Sequence, residues 1–239
     1  MGMPVRVDVR DRGVGAAAVD AVYAWLRAVD ARFSPFRADS EICRLDREEL
    51  SLRDAHPDVR EVLARCERLR DFSGGAFDAR AGGALDPCGL VKGWAVDRAG
   101  ALLEAAGARR FCIDAGGDVL LRGGPWRVGV RHPLRGGALA AALELTDAAV
   151  ATSGAYERGA HVLDPRGGGP ARGALSVTVV GRELGTVDAY ATAAFAMGPR
   201  GPAWTARLRG CEAMTVLAGG RVLCTAGFGR HRLPLSGAA

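Results

Sequence analysis

Val5, Val7 and Val9 alternate with polar neighbours, and this period of two predicts a strand at the start of the chain. Val22, Trp25, Leu26 and Val29 then repeat at helical spacing, in a helix that ends near F-S-P-F at 33–36. Ser40 is placed to cap a short turn. Pro57 opens a second long helix carrying Val59, Val62, Leu63, Cys66 and Leu69 on one face. A glycine-rich turn, S-G-G-A-F-D-A-R, follows. The next helix, with Val91, Trp94, Ala95, Ala99, Leu102, Leu103 and Ala106 at helical spacing, stops at Gly107, and Phe111 to Asp114 reads as a strand. Trp126, Val128 and Val130 alternate, as do parts of 138–152, and Leu175 to Val180 is a β-branched run expected to be buried. V-D-A-Y-A-T-A-A-F-A-M-G predicts a late helix, and Glu212 to Ala218 with Arg221 to Thr225 predict a closing hairpin around Gly219 and Gly220. Helices and strands are interspersed without regular βαβ alternation, so the expected class is α+β, with mixed or antiparallel sheets and packed helices in a single domain over 1–239.

Candidate chemistry gathers in three places. In L-D-P-C-G-L-V-K-G-W-A-V-D, Lys92 is the only lysine of a chain whose Lys plus Arg total is 32. Flanked by Gly89 and Gly93 in what reads as the first turn of a helix, it suits a phosphate or pyrophosphate, or it is a solvated surface lysine. In the late helix, Asp188 and Thr192 stand four apart and share a face, as hard oxygen ligands of the kind Mg²⁺ prefers or as local helix-end partners. Between Ala151 and Pro170, Ser153, Tyr156, His161 and Asp164 crowd a short polar segment.

Composition narrows the classes. Hydrophobic residues make up 49% of 239, enough for a real core. The formal net charge is +5, but Arg alternates with Asp and Glu early in the chain and only 6% of residues are aromatic, which argues against a nucleic-acid footprint. Six cysteines without a C-x-x-C pair point to buried small hydrophobes in a reducing compartment rather than zinc. The absence of a charged-then-apolar leader and of a long uncharged apolar stretch leads us to expect a cytoplasmic protein with no membrane anchor.

The ordered motifs G-A-F-D, D-P-C-G-L-V-K-G-W-A-V-D, A-G-G-D, S-G-x-Y-E-R, H-V-L-D-P-R and V-D-A-Y-A-T-A resemble the ApbE family of FAD:protein FMN transferases across nearly the whole chain. That resemblance implies FAD as donor, a divalent metal, Mg²⁺, and transfer of FMN with release of AMP to a Ser or Thr hydroxyl of a partner flavoprotein, with FAD in a cleft between two halves. Carried over by motif, Ala76, Phe77 and Asp78 would contact FAD, as would Met1, Phe36, Asp86 and Lys92. Gly89 would give a backbone carbonyl to the metal, Asp188 and Thr192 its side-chain ligands. His161 would lie at the FAD and act as general base; Lys92, Asp188 and His161 are the implied catalytic set.

The chain departs from the family in several ways. The insert that usually follows G-A-F-D is nearly absent, Pro87-Cys88 replaces Leu-Gly, Asp114 stands for an amide and Gly167 for a threonine. Ala191 stands where some relatives carry a second acid, and the lipoprotein signal of exported members is missing. Two other readings stand beside it: FAD pyrophosphatase, which uses the same groups with water as nucleophile, and an FAD-binding carrier without turnover, which would not require the metal pair.

Overall fold

The computed structural model describes residues 2–154 and 162–234; Met1, Tyr156 and His161 lie outside the described residues. Its first strand, β1 (Val5–Val9), leads into α1 (Ala16–Phe33), α2 (Glu41–Asp46), α3 (Pro57–Phe72) and α4 (Cys88–Ala105). Strands β2 (Phe111–Ala115), β3 (Asp118–Arg122), β4 (Trp126–Arg131), β5 (Leu139–Leu145) and β6 (Ala149–Gly154) follow, and then the short pair β7 (Leu163–Asp164) and β8 (Gly169–Pro170). The chain closes with β9 (Ala174–Gly181), α5 (Leu184–Ala196), α6 (Gly201–Thr205), β10 (Glu212–Leu217), β11 (Val222–Cys224) and β12 (Arg232–Leu233).

A seven-stranded sheet in the order β1-β2-β3-β6-β9-β10-β11 forms the middle layer, and every pairing in it is antiparallel. Period-two alternation sorts its side chains. Phe111, Ile113, Leu120, Ala149, Ala151, Val177 and Val179 join the core beneath the helices, while Val119, Leu121, Val150, Val180 and Met214 face the other way. There they meet Val130, Ala141, Leu143 and Leu145 of a second, three-stranded sheet, β12-β5-β4. The molecule is therefore layered as helices, large sheet and small sheet, an antiparallel α+β arrangement.

Helix α4 is the hub of the helical layer. Leu90, Val91, Trp94, Ala95, Val96, Ala99 and Leu103 are all buried, so it is apolar nearly all round. Leu102 and Ala106, part of the same apolar pattern, are instead exposed near its C-terminal end. Trp94 packs on Trp25 and Phe33 with ring centroids 5.5 Å apart, and its indole N–H donates to Glu61 at 3.1 Å. Trp25 donates to the Ala95 carbonyl at 2.9 Å. The helix also begins earlier than its apolar pattern suggests, at Cys88, so Lys92 stands one turn inside it rather than among its free N–H groups.

Helix α5 reaches α4 through two glycines. A Cβ on Gly93 would lie 2.5 Å from the Leu184 carbonyl oxygen, and one on Gly185 would lie 2.9 Å from the Trp94 nitrogen. The crossing is also pinned electrostatically. Glu183 precedes α5 without a side-chain cap, and the Asp97 carboxylate accepts from the first two helical N–H groups, Leu184 and Gly185, at 2.8 Å each. Burial raises the Asp97 carboxyl, and those two N–H donors oppose the rise. Asp97→Ala is expected to lower stability by about 1–3 kcal/mol, since two buried donors lose their acceptor. Urea unfolding checks this: the midpoint should fall at constant m-value, and an unchanged midpoint would remove Asp97 from the account of how the helices join.

Candidate functional site

Three elements deliver charge to one point. Lys92 comes from α4, Asp188 from α5 and Asp118 from the first position of β3. A two-residue hairpin presents Asp118: Gly116 and Gly117 both have positive φ, 64° and 95°, as a type I′ turn demands. Asp114 accepts from the Gly117 N–H at 2.8 Å inside that turn. Asp118 then shares its side of β3 with Leu120, facing the helices.

The Lys92 ammonium is in close contact with Asp118 Oδ2 and lies 3.3 Å from Asp188 Oδ1. Both carboxylates are 5% exposed, whereas the Lys92 side chain keeps 23%, so the acids form the floor and the cation the accessible part. Burial works against the Lys92 charge, but Asp188 and Asp118 outweigh it and hold the ammonium above its ordinary range. The acids are served unequally. Asp118 Oδ1 also accepts from the Thr152 N–H at 2.8 Å, while Asp188 Oδ2 is buried without a partner. Burial accordingly pushes the Asp188 carboxyl up to about 7, with Lys92 pulling it back and Asp118 adding to the rise. Among the described residues, the other buried polar side-chain atom without a partner is the neutral Thr215 hydroxyl, and a carboxylate oxygen costs more to leave bare.

Thr192 lies one helical turn beyond Asp188, and its hydroxyl is 3.4 Å from that of Ser153 at the end of β6. Gly89 completes the junction: a Cβ there would come within 3.1 Å of the Phe77 ring and 3.5 Å of the Thr192 methyl. Phe77 and Ala76 are buried, and the Phe77 N–H is held by Ser73 Oγ at 2.9 Å. The Asp86 N–H donates to the Ala79 carbonyl at 2.7 Å, which ties the loop before α4 to the G-A-F-D loop. Asp78 accepts from the Arg80 N–H at 2.8 Å and lies 3.5 Å from Arg70.

Lys92, Asp188, Thr192, Gly89, Phe77 and Asp86 therefore sit on three adjoining segments, though they lie far apart in the sequence. Phe36 is 93% exposed in its turn. Asp164 serves its own turn, accepting from the Arg166 backbone at 3.1 Å and side chain at 2.9 Å. Of the cysteines, Cys66 alone is buried; Cys43, Cys112 and Cys211 are half-buried and Cys88 and Cys224 exposed, all as free thiols. The expectation of six buried thiols is thus corrected, because several stand at helix starts or on edge strands. Asp118 was not singled out from the sequence; the signal available was its place after the glycine pair in A-G-G-D.

A cation suits this floor. It offers a buried carboxylate with one bare oxygen and a hydroxyl one turn along, both hard oxygen donors. Among the described residues no three His, Cys, Asp or Glu side chains converge as a metal cluster, so any such site must draw on the Thr192 hydroxyl and main-chain carbonyls. Two surface depressions lie elsewhere. One of about 210 Å³ is lined by Arg65, Arg68, Phe72, Thr186 and Tyr190, on the side of α5 away from Asp188, and another of about 560 Å³ lies beside Leu45 and Leu63.

The model of the ApbE family matches residues 1–84 and 79–215. An FAD:protein FMN transferase of Rhodobacter capsulatus is 35% identical over 150 residues, 56% of this chain and 29% of that protein. One of Vibrio cholerae is 31% identical over 129 residues, 48% of this chain and 39% of that protein. The chain thus aligns with well under half the length of these relatives. Among solved structures, the flavin transferase ApbE from Vibrio cholerae shares the fold with TM-score 0.87 at 21% identity, covering 97% of this chain and 96% of that one. The ApbE protein of Thermotoga maritima does so with TM-score 0.87 at 23% identity, covering 98% and 97%.

Proposed function

We propose, from the premise that this chain belongs to the ApbE family, that it transfers FMN from FAD to a Ser or Thr hydroxyl of a partner flavoprotein and releases AMP. The observation that carries this is the shared ammonium of Lys92 between two buried acids, one of which has a bare oxygen. Asp188, Thr192 and the Gly89 carbonyl would hold Mg²⁺. When bound, that ion supplies Lewis-acid neutralisation of diphosphate oxygens.

The remaining work falls to side chains of this protein. Lys92 presents a point charge on a flexible stem to the diphosphate, and its acid floor keeps it charged at neutral pH. Ala76, Phe77, Asp78, Asp86, Phe36 and Met1 line the flavin nucleotide. His161 takes the proton from the incoming hydroxyl, a task matched to an imidazole near neutrality. No described helix is long and apolar enough to cross a membrane. The setting we propose is cytoplasmic, with a protein acceptor and no nucleic-acid partner.

The test is incubation of the protein with FAD and Mg²⁺, with and without a flavoprotein acceptor. AMP together with covalent protein flavin is the expected result. AMP with free FMN would replace transfer by pyrophosphatase activity, and no AMP would leave an FAD carrier. A chelator should abolish AMP release and Mg²⁺ should restore it. His161→Ala is expected to slow transfer by about 10²–10⁴-fold with FAD affinity retained; an unchanged rate at saturating acceptor would remove His161 as the base.

A further inference from the structure

We propose that Asp118 is a positioning residue that acts through Lys92: when Asp188 is given to a divalent cation, Asp118 keeps the ammonium at the site and sets where it meets the diphosphate. The proposal rests on the functional reading above. It starts from the asymmetry of the two acids. Asp118 is fully engaged, by Lys92 on one oxygen and by the Thr152 N–H at 2.8 Å on the other. It is also mounted on the rigid side of the site, at the start of a strand, behind a two-glycine turn and against the neighbouring strand β6. Asp188 is half engaged, with Lys92 at 3.3 Å on one oxygen and nothing on the other.

A cation on Asp188 would place like charge within a few ångströms of the ammonium and weaken that 3.3 Å contact. The closer contact to Asp118 survives, because Asp118 faces the ammonium from another element. Without it, a flexible four-carbon stem with 23% of its surface open to solvent has no other described anion to fix its end than the acid the cation needs. Asp118 therefore separates two tasks, leaving Asp188 to bind a cation while Lys92 stays aimed.

Lys92 is the only lysine, so selective ¹⁵N-lysine labelling reports on one side chain without assignment. In wild-type protein the Lys92 ammonium signal is expected to be protected from exchange and to persist, shifted, at saturating Mg²⁺. Its loss on adding Mg²⁺ alone would overturn the proposal, with no variant needed. Asp118→Asn should keep a protected signal without Mg²⁺, where Asp188 still faces the ammonium, and lose it at saturating Mg²⁺, and Asp118→Glu should recover it. In AMP release from FAD, Asp118→Asn should lower kcat by about 10²-fold, as expected for a misplaced group, with KM for FAD changed less than about threefold.

Lys92→Gln should show a loss of similar size, and the double variant should be no worse than the poorer single one. Losses that multiply in the double variant, or an Asp118→Asn protein whose lysine signal stays wild-type at saturating Mg²⁺, would overturn the role. If wild-type protein releases no AMP at all, the functional reading fails, while the lysine signal still decides whether Asp118 holds Lys92 against a cation.

Discussion

Asp188→Asn is expected to abolish Mg²⁺-dependent AMP release, by at least about 10³-fold, while leaving the protein as stable as before or more so. The activity loss follows from removing a carboxylate ligand: a bound cation contributes several kcal/mol at the transition state, and about 1.4 kcal/mol is a factor of ten. The stability result has a separate cause. Asp188 is a buried acid with one oxygen unpaired, and burial pushes its carboxyl up to about 7. A neutral amide relieves that burial cost, and Lys92 retains Asp118 as its counter-charge. Urea unfolding and AMP release on the same preparation check both halves. A variant that loses activity and stability together would make Asp188 a structural acid rather than a ligand.

The same group predicts a pH dependence. A cation binds the carboxylate form and competes with a proton for it. With the Asp188 carboxyl lifted to about 7, apparent Mg²⁺ affinity should decline as pH falls below that value, approaching about tenfold per unit, and level off above it. Mg²⁺ titrations from pH 5.5 to 8.5 measure this, and a flat profile would contradict the lifted carboxyl.

Gly93→Ala should be nearly as damaging, although it adds a single methyl group and removes no charged side chain of the site. Its Cβ would lie 2.5 Å from the Leu184 carbonyl oxygen and 2.7 Å from the Gly185 Cα. Those are backbone atoms, so a whole helix has to move rather than a rotamer. Overpacking of this kind costs about 1–3 kcal/mol, only partly offset by the roughly 1 kcal/mol that Ala gains over Gly in a helix. The consequence for chemistry is larger than for folding. Lys92 and Asp188 ride on the two helices that would separate, and a displacement of about 1 Å is enough for roughly a 10²-fold loss of rate. Gly13→Ala, with nothing within 4 Å of its Cβ, serves as the control and should change neither measurement. Wild-type activity in Gly93→Ala would show that the α4–α5 distance does not govern the site.

Strand and helix identities were legible from periodicity where an element has a wetter side and a dry one, since chain-local pattern records that contrast. The valines of β1 and the face of α3 are of this kind. Helix α4 shows where pattern fails: it is buried nearly all round, so its start at Cys88 and the exposure of Leu102 and Ala106 did not follow from its apolar spacing. At the site, Lys92, Asp188 and Thr192 stood out by residue type and spacing alone, together with the motif order that suggested a family.

Asp118 did not stand out, nor did Asp97. Each acts on groups distant in the chain, Asp118 on Lys92 and Thr152, Asp97 on the start of α5. By itself, then, the sequence determined which residues are able to carry charge, coordinate or cap, since those are properties of side chains and near neighbours. Which acid is satisfied and which is left with a bare oxygen was decided only by the tertiary structure, because burial and pairing depend on how α4, α5 and β3 are brought together.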